Sequence, residues 1–425
     1  MEKIKVNNFD EFLYREQLSC GLNVYILPLK YKKNYSCMYI TKYGGRNINF
    51  KLNDKLYQTH TGIAHFLEHK MFERKDDPFK FYGKFGTDVN ALTSLDYTGY
   101  YFLGNNSFNR GLKYMLNWLK ELHITDKSVI KEQGIILEEA SMYKDNPDRV
   151  LYNKVRENIF VNDPSKYKVI GTDEDIVAIT KEELELCFNT FYSPNNMYLI
   201  MAGNMNPEKT INTVKEQLKG LKPSNNKIEK IYNKEPDNVA KEYEEINMNI
   251  QTPKVTVGYK INKEYFKDLN LTDLKLDIYL HSIFDIALGT TSLIREKWLN
   301  DNLFLNSFYR ISEIETHYLI ELYATTEKPK ELIDELLKYI TDLKIDEESF
   351  AREKKLWIAS EIKATDSPMS AVYSVLDDIL DYGEYIPNKI EIVKELDYQT
   401  LVKVKESLNF DNRIIIKILP KGNWK

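Results

Sequence analysis

Three cysteines among 425 residues leave this chain little thiol chemistry. Cys20, Cys37 and Cys187 are far apart and odd in number, and no two form a C-x-x-C pair. That excludes a dithiol redox motif or a zinc–thiolate site, and it suits a reducing cytoplasm. Their expected role is that of small buried side chains. No run approaches 18 uninterrupted apolar residues, so no membrane-spanning helix is expected. Residues 1–8 lack the apolar stretch of a secretion signal, which makes the cytoplasm the expected location. Long basic tracts are also missing, and with a net charge of -5 nucleic acid is not an expected partner.

What is present is the material of a globular protein, 43% hydrophobic and 29% charged. The length exceeds one ordinary core and predicts two or more domains. β-rich runs at 22–28 and 35–45 are closed by proline and glycines. A helix carrying a histidine motif follows, then a segment at 78–85, and two strands at 88–103 around a Ser94-Leu95-Asp96 turn. Helical periodicity marks 107–122 and 128–143, with a strand at 197–203 and a helix at 207–218. From 222 to 240 Pro, Asn, Lys and Glu replace the apolar pattern, the mark of a linker. This predicts a metal-bearing domain over 1–221, a linker over 222–240 and a second domain over 241–425. Strands near 255–259, helix near 271–300, strands near 303–325 and helices near 328–363 loosely repeat the first half, as in a divergent duplication. Only His281 and His317 lie in that second half.

The chemistry is concentrated in His65-Phe66-Leu67-Glu68-His69. On a helix, positions i, i+3 and i+4 share a face, so two imidazoles and one carboxylate point into one small volume. Histidines one turn apart can grip zinc, and the glutamate between them can act on a nearby water without being a ligand. H-x-x-E-H is the spacing of the inverzincins, which makes peptide hydrolysis the leading reading. A catalytic zinc usually takes three protein ligands, and among 64 acidic residues spacing alone cannot choose the third. His60 falls on another face and reads as a loop histidine. His123, His281 and His317 are isolated and read as structural or solvent-facing.

Residues 61–73, with Glu132-Gln133-Gly134-Ile135-Ile136-Leu137-Glu138-Glu139 and 142–147 downstream, resemble the pitrilysin/insulinase family. The likeness is greatest to its small members, the mitochondrial processing peptidases and their bacterial relatives. It extends to Asn90-Ala91-Leu92-Thr93, to 191–197 and to 202–204, and is weak in the second half. The resemblance implies an α+β chain of two similar domains, each an antiparallel-rich mixed sheet packed with helices (the processing-peptidase/LuxS-like metallohydrolase fold). It implies one zinc per chain, with His65, His69 and Glu139 as ligands. Glu132, seven residues before Glu139 and so on the same helical face, would orient that ligand or a histidine. Glu138 would point about 100° away. Glu68 would be the general base. Asn90 and Ala91 would lie on an edge strand to which the peptide substrate adds, although such an edge also exists without ligands.

One departure from the family bears on partners. The family's second domain supplies an arginine and a tyrosine from a segment S-R-L-x-x-x-L-R-x-x-x-x-G-L-x-Y. Aligned on 291–305, those places fall on Trp298 and Leu305; shifted to use Arg295, the tyrosine place is Asn302. Tyr309 and Arg310 are near, but adjacent strand residues face opposite sides. The resemblance therefore implies the zinc subunit of a two-chain peptidase whose homologous partner supplies the Arg/Tyr pair, with a homodimer as the alternative. A protease dedicated to one precursor or leader peptide would share this chemistry. A non-catalytic scaffold of the same fold would have no use for the intact motif.

Overall fold

The computed structural model describes residues 1–7 and 9–422. It resolves into two compact units that interleave along the chain. One comprises Met1–Ala140, Tyr167–Tyr232 and Glu361–Lys389, the other Ser141–Lys166, Asn233–Ser360 and Ile390–Lys425. The division read from the sequence at 222–240 is contiguous, whereas the units exchange segments: 141–166 and 361–389 each pack away from their sequence neighbours.

The first unit contains β1 (Glu2–Lys5), β2 (Phe12–Gln17), β3 (Asn23–Pro28), β4 (Tyr35–Thr41), β5 (Asn49–Leu52) and β6 (Lys55–Gln58). It continues with β7 (Asp88–Thr93), β8 (Thr98–Gly104), β9 (Met197–Gly203) and β10 (Ile228–Lys230). Seven strands form a sheet in the order β1-β2-β3-β9-β4-β8-β7, and β10-β5-β6 form a small second sheet. Strand β10 thus draws part of the linker-like 222–240 segment into this unit. In the large sheet only β3 and β9 run parallel. Strand β4 is buried at every position, which is why 35–41 reads as a near-continuous apolar run and not as an alternation.

Helices α1 (Ile63–Phe72), α2 (Pro78–Gly83), α3 (Phe108–Trp118) and α4 (Asp126–Asp145) follow the chain order. Cys37 of β4 meets Met115 of α3, with sulfurs 4.0 Å apart, on one face of the sheet. Its neighbours Met38 and Ile40 point the other way, onto the helix Pro368–Tyr382. That helix buries Ala371, Val372, Val375, Leu376 and Ile379, one apolar stripe at helical spacing. All three cysteines are buried; burial pushes the Cys187 thiol up to about 12 and raises that of Cys37 well above its ordinary value, so both are inert.

The second unit holds α5 (Pro147–Ile159) and the strands β11 (Tyr243–Met248), β12 (Lys254–Asn262), β13 (Asn306–Ile314), β14 (His317–Thr325) and β15 (Arg413–Pro420). They form one sheet in the order β11-β15-β12-β14-β13, with only β11 and β15 parallel. Leu151, Val155 and Ile159, one face of α5, pack on Leu319, Ile414, Ile416 and Ile418. Residues 233–240 are anchored here. Glu235 accepts the backbone N–H groups of Val161, Asn162 and Asp163 and pairs with buried Lys260 at 2.5 Å.

The core sheets share one topology. Numbered by appearance within its own set, β3-β9-β4-β8-β7 runs 1-5-2-4-3, and so does β11-β15-β12-β14-β13, each beginning with its parallel pair. Both units are therefore α+β with mixed, antiparallel-rich sheets, and β7 and β13 occupy equivalent edges.

Candidate metal centre

Helix α1 is positioned by its first residues. Gly62 (φ 87°) and Gly171 (φ 92°) lie back to back, and a Cβ on either would strike the other strand's backbone, Ile170 O at 2.4 Å or Thr61 O at 2.6 Å. Only glycine accepts both the positive φ and that approach. Asp175 accepts from the Thr61 N–H at 3.1 Å, and Glu183 holds the His60 N–H and Nδ1 at 2.7 and 2.8 Å. His60 is accordingly a tethered loop residue. Ile63, Phe66, Leu67 and Met71 bury the opposite side of α1. Lys70, also buried, pairs with Glu73 and donates to the Ser128 carbonyl of α4 at 3.1 Å, tying the two helices together.

On the remaining face the rings of His65 and His69 stand 4.6 Å apart, centre to centre. Glu139 Oε2 from α4 approaches both, 3.8 Å from His65 Nε2 and 3.5 Å from His69 Nε2. Among the described residues this is the one group of three metal-capable side chains with converging ligand atoms, all within 4.8 Å of one another. Two imidazoles and one carboxylate within that span are the donor set and number that zinc takes in sites with an open fourth position. Glu138 lies exposed on another face of α4, outside the group.

The surrounding contacts divide the two histidines. His69 Nδ1 donates to Glu132 Oε1 at 3.0 Å, leaving Nε2 turned toward Glu139. Burial works to lower the His69 pKa, but the Glu132 hydrogen bond and the nearby carboxylates outweigh it and the net shift is upward. Burial likewise raises Glu132, and His69, Lys70 and Lys131 reverse that into a net lowering. His65 is pushed down to about 4 by burial and by the charge of His69, so its ring is neutral, the form that ligates metal. Its buried Nδ1 has no hydrogen-bond partner among the described residues.

Glu68 projects beside this group and accepts a 2.5 Å hydrogen bond from Thr93 Oγ1 on β7. Burial raises its carboxyl pKa, partly opposed by the Thr93 bond. Thr93 was not singled out from the sequence, although it ends the Asn90-Ala91-Leu92-Thr93 segment that was. Asn90 and Ala91 lie three and two residues upstream on the same strand. Strand β7 pairs with β8 on one side and with no strand on the other among the described residues. Asn90 Oδ1 accepts the Ala91 N–H at 2.9 Å, so an edge amide is capped by its neighbour's side chain.

The second unit presents no Arg/Tyr pair in the aligned segment. Trp298 is buried against Tyr339, Leu305 is exposed, and Arg295 donates to the Ser307 carbonyl at 2.7 Å. Tyr309 and Arg310 face opposite sides of β13: Tyr309 Oη donates to Asp285 Oδ1 at 2.5 Å, whereas Arg310 bonds Tyr152 of α5. His281 stands 3.6 Å from Asp277, buried His317 3.1 Å from Asp237, and exposed His123 3.5 Å from Glu121. None joins a metal-capable group.

Comparison with known proteins gives concordant matches. The family model described as Insulinase (Peptidase family M16) matches residues 56–173, and the one described as Peptidase M16 inactive domain matches 178–356. The uncharacterized zinc protease YmfH of Bacillus subtilis is 33% identical over 99% of this chain and 100% of its own length. A putative M16-like peptidase from Alicyclobacillus acidocaldarius superposes with a TM-score of 0.90 at 26% identity, covering 97% of this chain and 99% of that one. A Helicobacter pylori protease shares the fold at a TM-score of 0.81 and 20% identity, over 96% and 99% of the two chains. No helix among the described residues is long and apolar enough to cross a membrane.

Proposed function

We propose, on the premise that this chain belongs to the pitrilysin/insulinase (M16) family of peptidases, that it is a zinc metalloendopeptidase acting on peptides or unfolded segments. The observation that carries the reading is the convergence of His65, His69 and Glu139 beside Glu68, which is itself bonded to an edge strand. His65, His69 and Glu139 would hold the zinc. When bound there, zinc supplies Lewis-acid polarisation of a carbonyl and makes water more acidic.

The rest of the chemistry belongs to the chain. Glu68 takes the proton of the attacking water and passes it to the leaving amine nitrogen. A carboxyl raised by burial suits both halves of that exchange. Thr93 Oγ–H fixes one Glu68 oxygen, so the other is free to face water. Glu132 selects the His69 tautomer and orients its ring. The free edge of β7, with Asn90 and Ala91, binds the substrate as an added strand. Main-chain pairing of that kind favours an extended peptide over a particular sequence.

The missing Arg/Tyr pair supports a two-chain enzyme, in which a homologous subunit stabilises the developing oxyanion. The test is to assay peptide cleavage by the pure chain alone and with the product of its neighbouring gene. A zinc-loaded chain that cleaves poorly alone and at least ~100-fold faster with the second subunit, the scale of one oxyanion donor, is the expected result. Full activity of the isolated chain overturns the two-chain reading.

A further inference from the structure

The second unit contains a polar cleft of about 440 Å³ between the start of α5 and the β12-β14-β13 end of its sheet. Arg149 and Tyr152 of α5, Lys254 of β12, Arg310 of β13 and Tyr323 of β14 line it. Its volume far exceeds the space one water needs. Arg156, 3% exposed, reaches the lining through Tyr152, whose ring also receives Arg310, with guanidinium centres 4.8 and 5.6 Å from the ring.

Charge does not balance here. Four cations (Arg149, Arg156, Arg310 and Lys254) face two carboxylates, and one of these, Asp148, is engaged with Lys254 at 2.8 Å. The other, Glu321, is fully buried between the fields of Arg156 and Arg310, yet neither of its oxygens has a hydrogen-bond partner among the described residues. Arg156 Nε and Nη1 also lack partners. Buried guanidinium nitrogens without partners are costly, and it is this cost at Arg156, not the one at Glu321, that a bound anion relieves.

A second observation points to the same ligand class. Tyr323 is 8% exposed and its hydroxyl is a buried donor without a partner. Its ring stacks on its cross-strand neighbour Phe308, centres 4.8 Å apart and planes 11° apart, so the hydroxyl is held in place beside Arg156, Arg310 and Glu321. The N-terminus of α5 adds partial positive charge, although Asn146 Oδ1 already takes the amides of Asp148 and Arg149. Guanidinium forks with a hydroxyl donor match the oxygens of a carboxylate or phosphate, and the cationic lining disfavours a metal ion.

We propose that this cleft is an oxyanion-binding site distinct from the metal centre, taking either free phosphate or the C-terminal carboxylate of a peptide. It does not depend on the peptidase reading, since binding at Arg310 and Tyr323 needs no turnover.

Isothermal titration of the full chain, treated with chelator so that no peptide is consumed, tests it. The probes are inorganic phosphate and an acetylated tetra-alanine peptide with either a free or an amidated C-terminus. Binding of phosphate, or at least ~10-fold preference for the free acid over the amide, supports the site and identifies the source of the anion. Tyr323→Phe removes one hydroxyl without altering packing, and it and Arg310→Gln each weaken that binding ~10-fold. The proposal is overturned if no oxyanion probe binds. It is equally overturned if both variants bind as the wild type does.

Discussion

His69 Nδ1 lies 3.0 Å from Glu132 Oε1, and this contact determines which nitrogen of the ring faces Glu139. A carboxylate accepting one imidazole N–H fixes the tautomer and raises the basicity of the other nitrogen. Glu132→Gln is therefore expected to weaken zinc binding ~10- to 100-fold while leaving the fold intact. Competition against a chromophoric chelator measures this directly. Unchanged affinity would reduce Glu132 to a packing residue.

Glu68 and Thr93 separate proton transfer from metal retention. Glu68→Gln should retain zinc and lose ~10²- to 10⁴-fold in kcat, the usual contribution of a general base. Thr93→Val, which deletes the 2.5 Å bond to Glu68, should cost about tenfold in kcat with little change in zinc content. If Glu68→Gln turns over peptide at the wild-type rate, Glu68 is not the base.

The edge of β7 is tested through its backbone. Ala91→Pro removes the amide that Asn90 now caps, and proline is tolerated on edge strands. A loss of at least ~10-fold in kcat/KM, with zinc content and thermal midpoint near wild type, is the expected outcome for a substrate that pairs there. An unaltered kcat/KM would place the substrate elsewhere.

The second unit should carry a pH-dependent cost. Burial first, and then the neighbouring charge of Asp285, push Glu353 from 4.5 up to about 7, against the opposing effect of Arg352. A carboxyl whose folded pKa is raised contributes stability that is fully present below about 4.5 and lost as pH rises through about 7. Glu353→Gln should remove that loss, leaving the variant more stable than wild type at pH 8.5 by on the order of 1–3 kcal/mol and similar to it near pH 4.5. Denaturant unfolding at the two pH values provides the comparison. Parallel pH slopes for the two proteins would contradict it.

Local pattern made His65, Glu68 and His69 legible before the fold was known, whereas Glu139 and Glu132 followed from the family resemblance, because spacing alone cannot choose a third ligand. His65, Glu68 and His69 share a helical face by spacing alone, and Glu132 and Glu139 share another because seven residues return to the same side. Long-range packing was not legible. The stripe at 371–379 reads as an amphipathic helix, but nothing in it reveals that it covers Met38, Ile40, Ile200 and Ala202, more than 150 residues away. Thr93 carries no sequence signal, because a threonine in a strand is ordinary until its hydroxyl is seen against Glu68. The Tyr309/Arg310 alternative was decided by strand alternation, which sends one side chain to Asp285 and the other to Tyr152.

Zinc content after dialysis tests the central claim most directly, measured for the wild type, Glu138→Ala and Glu139→Ala. The account predicts one zinc per chain in the wild type and in Glu138→Ala, and little or none in Glu139→Ala, because only Glu139 converges with both imidazoles. Retention of a full equivalent by Glu139→Ala, or its loss from Glu138→Ala, would contradict that ligand set.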